Sequence, residues 1–412
     1  MAKCLPEIST FKYATFHTQT VAHNMRIILI ILIILVINKS FSQNRLNGII
    51  VDSETKKPIE YVDIYNSTNF TSTNSEGRFL FVSEKDSVKI RLLGYKSIHS
   101  NFEKIRKDTI FLESKFETLD EINLGNSSSI SNIYKELYNN YPFKPYSESF
   151  FLRCILKKDS KIIKLQDLNG LIERKTLFSN SKKPLPKKNY KIEILNMRKA
   201  GIEDNIKGQN IYFQMFNFKQ ILDISSSIKI TDKSYDFKET NSKNKEYTKY
   251  LFSPKSDGKL KNEGYYLVEN INKAIIEFKV KRIINNSSFT KKKGIKYRTT
   301  SYETFVSFKK NIVDNLYYVD KTKITAQMEV LKDDKKVFYD VEYLWITLNK
   351  TEKEVDKNVS IKKDIFKLKK SFNADFWNKQ KYLLLTNEMC KFLKELEISQ
   401  NEFKTITNIK KE

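Results

Sequence analysis

Over much of the second half of this chain, apolar and polar residues alternate with a period of two. Ala274, Ile276, Phe278 and Val280 fall on one side of such a run, with Glu277, Lys279 and Lys281 on the other. Tyr302, Thr304, Val306 and Phe308 repeat the pattern, and Tyr339, Val341, Tyr343 and Trp345 oppose Asp340 and Glu342. Successive side chains of a strand point to opposite faces, so each run predicts a strand with one packed and one wet face, the habit of antiparallel sheets. Residues 264–270, a turn at 271–273 and the run from Ala274 predict a hairpin. The connections leave no room for crossover helices, so residues 146–385 are expected to form one large antiparallel sheet, twisted and curved, with a concave apolar face. A helix at 216–224 interrupts it. Phe376, Leu383, Leu384, Met389, Phe392, Leu393 and Leu396 point to a helical C-terminal segment, 386–412. Upstream, Ile130, Ile133, Tyr134 and Leu137 form one stripe of a helix at 130–138, which Tyr141-Pro142 stops.

The first part of the chain is punctuated more densely. It reads Gly48-Ile-Ile-Val51-Asp52, then Pro58-Ile59 before Tyr61-Val-Asp-Ile64-Tyr65, then Thr73-Asn74-Ser75-Glu76-Gly77-Arg78-Phe79, and finally Leu93-Gly94-Tyr95. Val62 and Ile64 alternate with Tyr61, Asp63 and Tyr65 as in a half-buried strand. Residues 74–77 are a turn with Gly77 free to take positive φ, and Phe79 and Phe81 begin the next strand on one face. Ile98, Phe102 and Ile105 follow, and 109–112 supply a last strand. Short strands broken this often predict a small β-sandwich. In order and spacing the stretch resembles the carboxypeptidase-like regulatory domain, a transthyretin-like, Ig-like sandwich common in envelope proteins of Bacteroidetes. The resemblance implies a non-catalytic sandwich over residues 44–124 with Val51, Val62, Ile64, Phe79, Phe81, Ile90 and Leu92 in its core. In that family a segment like 119–124 often leads into the plug of a TonB-dependent receptor; here a linker and short helix, 125–145, follow instead. Asn140-Tyr141-Pro142, Gly264-Tyr265-Tyr266 and Phe376-Trp377 resemble larger Bacteroidetes proteins that pair the domain with a β-rich region of unassigned role.

Composition refines this picture. The chain is 40% hydrophobic and 13% aromatic, too apolar for a disordered polymer. Its formal charge of +25 invites a nucleic-acid reading, but the lysines are scattered and no zinc-finger, helix-turn-helix or RNP-like pattern accompanies them. Nucleic acid is therefore not an expected partner; an envelope protein, a glycan or a lipid is. Arg26, the apolar run 27–37, and Ser40 and Ser42 make residues 25–43 a secretory signal, and the run is too short to span a bilayer as a permanent transmembrane helix. Residues 1–24 then read as a mis-called or disordered extension, leaving open whether Met1 or Met25 is the start. The expected location is the periplasm or the outer membrane.

The chemistry-bearing residues are few. His17 and His23 precede Met25, so His99, with Ser97 and Ser100 beside it, is the one histidine left for a triad or metal site. Cys154 and Cys390 allow one disulfide or two separate buried thiols. No glycine pattern makes a phosphate loop. Asp52, Glu54, Asp63, Glu76, Asp340 and Glu342 could meet as carboxylate pairs, the one route left to catalysis, as in glycan hydrolysis. No catalytic, cofactor-binding or metal residue is assigned and no cofactor is expected. The expectation is a non-catalytic envelope binding or scaffold protein, or a periplasmic carrier of lipid or another apolar ligand on the concave face of the second domain.

Overall fold

The computed structural model of the protein describes residues 43–105, 108–115, 132–178, 188–202, 205–206, 209–210, 213–226, 235–241, 246–255, 262–282, 284, 288–292, 294–332, 335–398 and 407–409. The expected signal segment, the closing segment 119–124 and the linker up to residue 131 lie outside the described residues.

Seven strands build the first unit: β1 (Asn44–Asp52), β2 (Asp63–Tyr65), β3 (Phe70–Ser72), β4 (Arg78–Ser83), β5 (Ser87–Arg91), β6 (Ile98–Asn101) and β7 (Thr109–Leu112). They form a three-stranded sheet, β4-β1-β7, and a four-stranded sheet, β3-β2-β5-β6, with β1 and β7 parallel. Leu46, Ile50, Val62, Ile64, Phe79, Phe81, Val88, Ile90 and Leu112 from both sheets share one core. Val51 is also buried, while Leu92 only packs against the edge of that core. The turn at 74–77 closes as expected: Asn74 Oδ1 accepts from the amides of Glu76 and Arg78, and Gly77 has φ +70°. A Cβ on Gly77 would stand 2.5 Å from the Ile50 carbonyl oxygen, so the turn requires glycine twice over.

One expectation fails here. Tyr61 and Asp63 were read as the wet side of a strand, yet both are buried, and Tyr61 is in a turn at φ +64° before a shorter strand. They are covered because this unit is docked on the large sheet, so it does not stand apart as the punctuation suggested.

The large sheet contains β8 (Tyr146–Lys158), β9 (Lys161–Arg174), β10 (Tyr190–Gly201), β13 (Tyr235–Asn241), β14 (Tyr247–Pro254), β15 (Asn262–Glu269), β16 (Ala274–Arg282), β17 (Thr290–Lys292), β18 (Ile295–Lys310), β19 (Tyr317–Lys332) and β20 (Lys335–Thr351). The two-residue strands β11 (Asn205–Ile206) and β12 (Gln209–Asn210) pair with each other beside it. Its order is β10-β9-β8-β20-β19-β18-β16-β15-β14-β13, with β17 on β18, and all its pairings are antiparallel. The chain enters at β8, runs to one edge, then returns from the other edge until β20 pairs with β8. The sheet ends at Thr351 rather than near 385.

Two adjacent rows across this sheet show what alternation achieves. Tyr266, Phe278, Val306, Thr322, Trp345, Leu152, Leu168 and Met197 stand opposite one another on successive strands, and all are buried. One residue along, the row is Tyr265, Lys279, Phe305, Lys323, Leu344, Arg153, Asp167 and Arg198. The first face packs against helix α2 (Phe218–Ser225), with Met215 and the 365–368 segment, at one end. At the other it packs against Ile133, Tyr141 and Phe178 beside helix α1 (Leu137–Asn140). Asn217 and Gln220 cap α2 reciprocally, and Tyr141, extended before Pro142, ends α1. A bulge opposite Leu267 and Val268 breaks the alternation in β16, so Ala274, Ile275 and Ile276 are all buried.

The second face was expected to be wet. It is instead largely covered by the first unit and by the C-terminal segment with helices α3 (Ala374–Lys379) and α4 (Asn387–Ile398). Tyr61, Phe151, Leu344, Ile346, Trp377 and Leu383 form one cluster there. Asp167 is wholly buried between Arg153 and Arg198, and Arg153 also donates to the Leu383 and Leu384 carbonyl oxygens. Ser72 N donates to Tyr382 O at 3.0 Å, joining the first unit to the same segment.

Candidate ligand site at the junction of the two units

β19 places Lys321, Lys323 and Thr325 on the second face. β18 adds Glu303, Phe305 and Ser307, and β16 adds Glu277 and Lys279. The first unit supplies Glu60, Tyr61 and Asp63 from around β2, and Arg91, Leu92 and Leu93 from the end of β5 onward. Between them lies a cavity of about 540 Å³, inside the range of roughly 300–1,000 Å³ usual for small-molecule sites.

Ion pairs fasten one wall to the other. Lys321 Nζ donates to Asp63 Oδ1 at 2.6 Å and to Asp320 Oδ2 at 3.0 Å, and Lys323 Nζ lies 3.1 Å from Glu60. Burial works against the Lys321 ammonium, but Asp320 and Asp63 outweigh it and hold its pKa above the ordinary lysine value. Burial lifts Asp63 above the usual carboxylate range despite Lys321, whereas Lys321 overcomes burial at Asp320 and keeps that group low. Glu277 is also raised by burial, even though Tyr265 Oη donates to it at 2.5 Å. Lys279 is paired with Glu303 at 2.9 Å. Arg91, Lys309 and Lys310, also in the lining, are in no ion pair among the described residues. Leu92, Leu93, Ile276 and Phe305 form the apolar part of the wall. Arg91, Leu92 and Leu93 continue into a smaller groove of about 350 Å³ with Lys89, His99 and Lys115, whose lining includes no carboxylate.

The carboxylates singled out in the sequence scatter except for Asp340 and Glu342, which both line a separate groove of about 650 Å³ with Glu388. Asp52 accepts from the Glu54 and Thr55 amides and from Tyr95 Oη, bonds led by Thr55 that lower its pKa; Glu54 is exposed. Glu76 accepts from Asn387 N, Asp340 from Gln327, and Glu342 lies 3.7 Å from Lys323. Of that set only Asp63 lines the junction cavity. Glu277, which alternation places on the polar side of its strand, joins it there, as does Asp320, which no sequence pattern singled out. His99 is exposed on β6. Cys154 is buried and Cys390 exposed, both as free thiols, so the pair does not bridge and only one of the two is a buried thiol. Among the described residues, no group of three or more His, Cys, Asp or Glu could hold a metal ion, and no helix is long and apolar enough to cross a membrane.

The sequence matches no protein-family model and no curated protein. Three solved structures are similar in part. A lipovitellin structure concerned with lipid–protein interactions matches with 9% identity over 60% of this chain and a TM-score of 0.22; the match spans 29% of the lipovitellin chain. A LolA superfamily protein from Nitrosomonas europaea matches over 53% of this chain and 93% of its own, at 6% identity and a TM-score of 0.19. MucB in complex with MucA matches over 53% and 92%, at 6% identity and 0.15. At such scores neither fold nor function carries over.

Proposed function

We propose that the chain is a non-catalytic binding protein of the bacterial envelope, exported by its leader, which holds an amphiphilic ligand in the junction cavity. In this reading residues 44–124 are a carboxypeptidase-like regulatory domain that acts as one wall of the site. The observation that carries the proposal is the cavity itself, apolar at Leu92, Leu93, Ile276 and Phe305, with the cations Arg91 and Lys309, which make no close ion pair among the described residues, in the same lining. An apolar body with an anionic group complements both parts. This keeps the apolar-ligand carrier expected from the sequence but moves its site to the other face of the sheet, since the first face is packed by α2, Tyr141 and Phe178.

A second reading has one observation in its favour. Asp63 and Glu277, both with raised pKa, line one cavity, and perturbed carboxylates in a cleft are a mark of acid–base chemistry. Asp63 is held by Lys321 and Glu277 by Tyr265, so neither is free to act as it stands. Native mass spectrometry of protein purified from its own envelope separates the alternatives. A co-purified amphiphile is expected; a stoichiometric protein partner with no small molecule would favour a scaffold, and glycan turnover abolished by Glu277→Gln would favour a hydrolase.

A further inference from the structure

Three large apolar side chains stand almost wholly in water: Ile271 is 86% exposed, Ile312 92% and Val313 87%. Isolated exposed apolar residues are ordinary on soluble proteins. These three are not isolated. Ile271 is in the turn between β15 and β16, and Ile312 and Val313 are in the turn between β18 and β19. β16 and β18 are antiparallel neighbours with Glu277 opposite Ser307, so both turns leave the same end of the sheet. Tyr317 Oη donates to Glu269 Oε2 at 2.6 Å, tying the base of one turn to the base of the other. Asn140 Nδ2 donates to Asn272 O at 2.8 Å and brings up the end of α1, where Tyr138 is half exposed.

Turn chemistry does not ask for apolar residues at these tips. In the longer turn the polar residues do the shaping: Asn311 Oδ1 accepts from Val313 N at 2.8 Å, Asp314 Oδ1 accepts from Leu316 N at 3.1 Å, and Asn315 takes φ +59°. The Ile312 and Val313 side chains serve neither the turn nor a core. Cations stand behind them. Lys309 and Lys310 precede one turn and Lys273 closes the other, while Lys350 Nζ, 2.7 Å from Asp314 Oδ2, neutralises the turn's own carboxylate.

We propose that this end of the sheet docks on a membrane, with Ile271, Ile312 and Val313 entering the interfacial layer and Lys273 and Lys310 meeting anionic lipid headgroups. The order matches a bilayer, apolar tips outermost and ammonium groups one level behind, as hydrocarbon lies beneath headgroups. Each inserted aliphatic side chain is worth about tenfold in partitioning, and each lysine near an anionic surface about fivefold. The proposal stands whether or not the junction cavity holds a ligand.

The chain has two tryptophans, Trp345 and Trp377, both buried, so an indole introduced by Ile312→Trp reports on the tip. On mixing with vesicles of phosphatidylethanolamine and phosphatidylglycerol, its emission is expected to shift to the blue and to be quenched by brominated acyl chains. Partitioning onto phosphatidylcholine alone should be weaker by about 25-fold. Adding Val313→Asp to the same chain should weaken binding to the anionic vesicles by about 10- to 100-fold. Emission unchanged by any vesicle, quenching that survives Val313→Asp, or a shift that needs an envelope protein in place of lipid would overturn the proposal.

Discussion

Replacing Lys321 with methionine tests how the two units are held together. The Lys321 ammonium is almost wholly buried between Asp63, on the first unit, and Asp320, on its own strand, at 2.6 and 3.0 Å. At these distances each contact is worth about 6 kcal/mol gross with an effective dielectric near 20, and the desolvation of three charged groups cancels much of that. Lys321→Met keeps the stem's volume but leaves two buried carboxylates facing each other without the ammonium that sits between them. Breaking a buried pair in this way costs about 3–5 kcal/mol. Urea unfolding followed by tryptophan fluorescence reads the loss. Asp63→Asn in the Lys321→Met chain should recover part of it, because it removes one stranded charge, giving a coupling of about 1–3 kcal/mol between the two positions. A cost below about 1 kcal/mol, the value of an exposed pair, or strict additivity of the two substitutions would refute the claim that this lysine locks the junction.

Three further outcomes are expected. Phe79→Ala should cost about 3–5 kcal/mol in the same assay, since the ring is fully enclosed in the first unit's core. Burial pushes Glu148 up to about 7 despite Arg174 beside it. A group raised in the folded state favours folding fully below its unfolded pKa of about 4.3 and loses that advantage as pH rises through the folded value. Urea midpoints should therefore fall between pH ~5 and ~8 by up to ~3 kcal/mol of stability, a limb that Glu148→Gln removes. Cys390, exposed on α4, should react with a thiol reagent in the native protein, whereas Cys154, buried and pushed up in pKa by that burial, should react only after unfolding.

Much of the fold was legible because period two marks strands directly. The runs at 302–308 and 339–345 became β18 and β20, the hairpin of 264–270, a turn at 271–273 and the run from Ala274 formed as β15 and β16, and 216–224 became α2 shifted by a turn's fraction to Phe218–Ser225. What alternation could not say is what covers each face. Lys321, Arg153 and Asp167 are charged residues on strands, and they are buried because the first unit and the 372–385 segment lie over them. The pairing of β8 with β20 joins residues nearly two hundred positions apart, for which no local pattern exists. The cavity was illegible for the same reason, since Glu60 and Asp63 meet Lys323 and Lys321 only where the first unit docks on the large sheet. Glu277 carried a faint signal: the polar side of its run contains one carboxylate ahead of two lysines, but its hydrogen bond comes from Tyr265 on the neighbouring strand.

The central claim, that the junction cavity is the ligand site, is tested most directly by comparing the protein purified from its own cells with its Phe305→Glu variant by native mass spectrometry. Phe305 is half-buried in the apolar part of the lining, so the variant should fold while setting an anion where an apolar body would lie. The wild-type chain is predicted to carry an amphiphile and the folded variant to arrive empty. A variant loaded as fully as the wild type would place the ligand elsewhere, and a wild-type chain that is empty when taken from its own envelope would contradict the account.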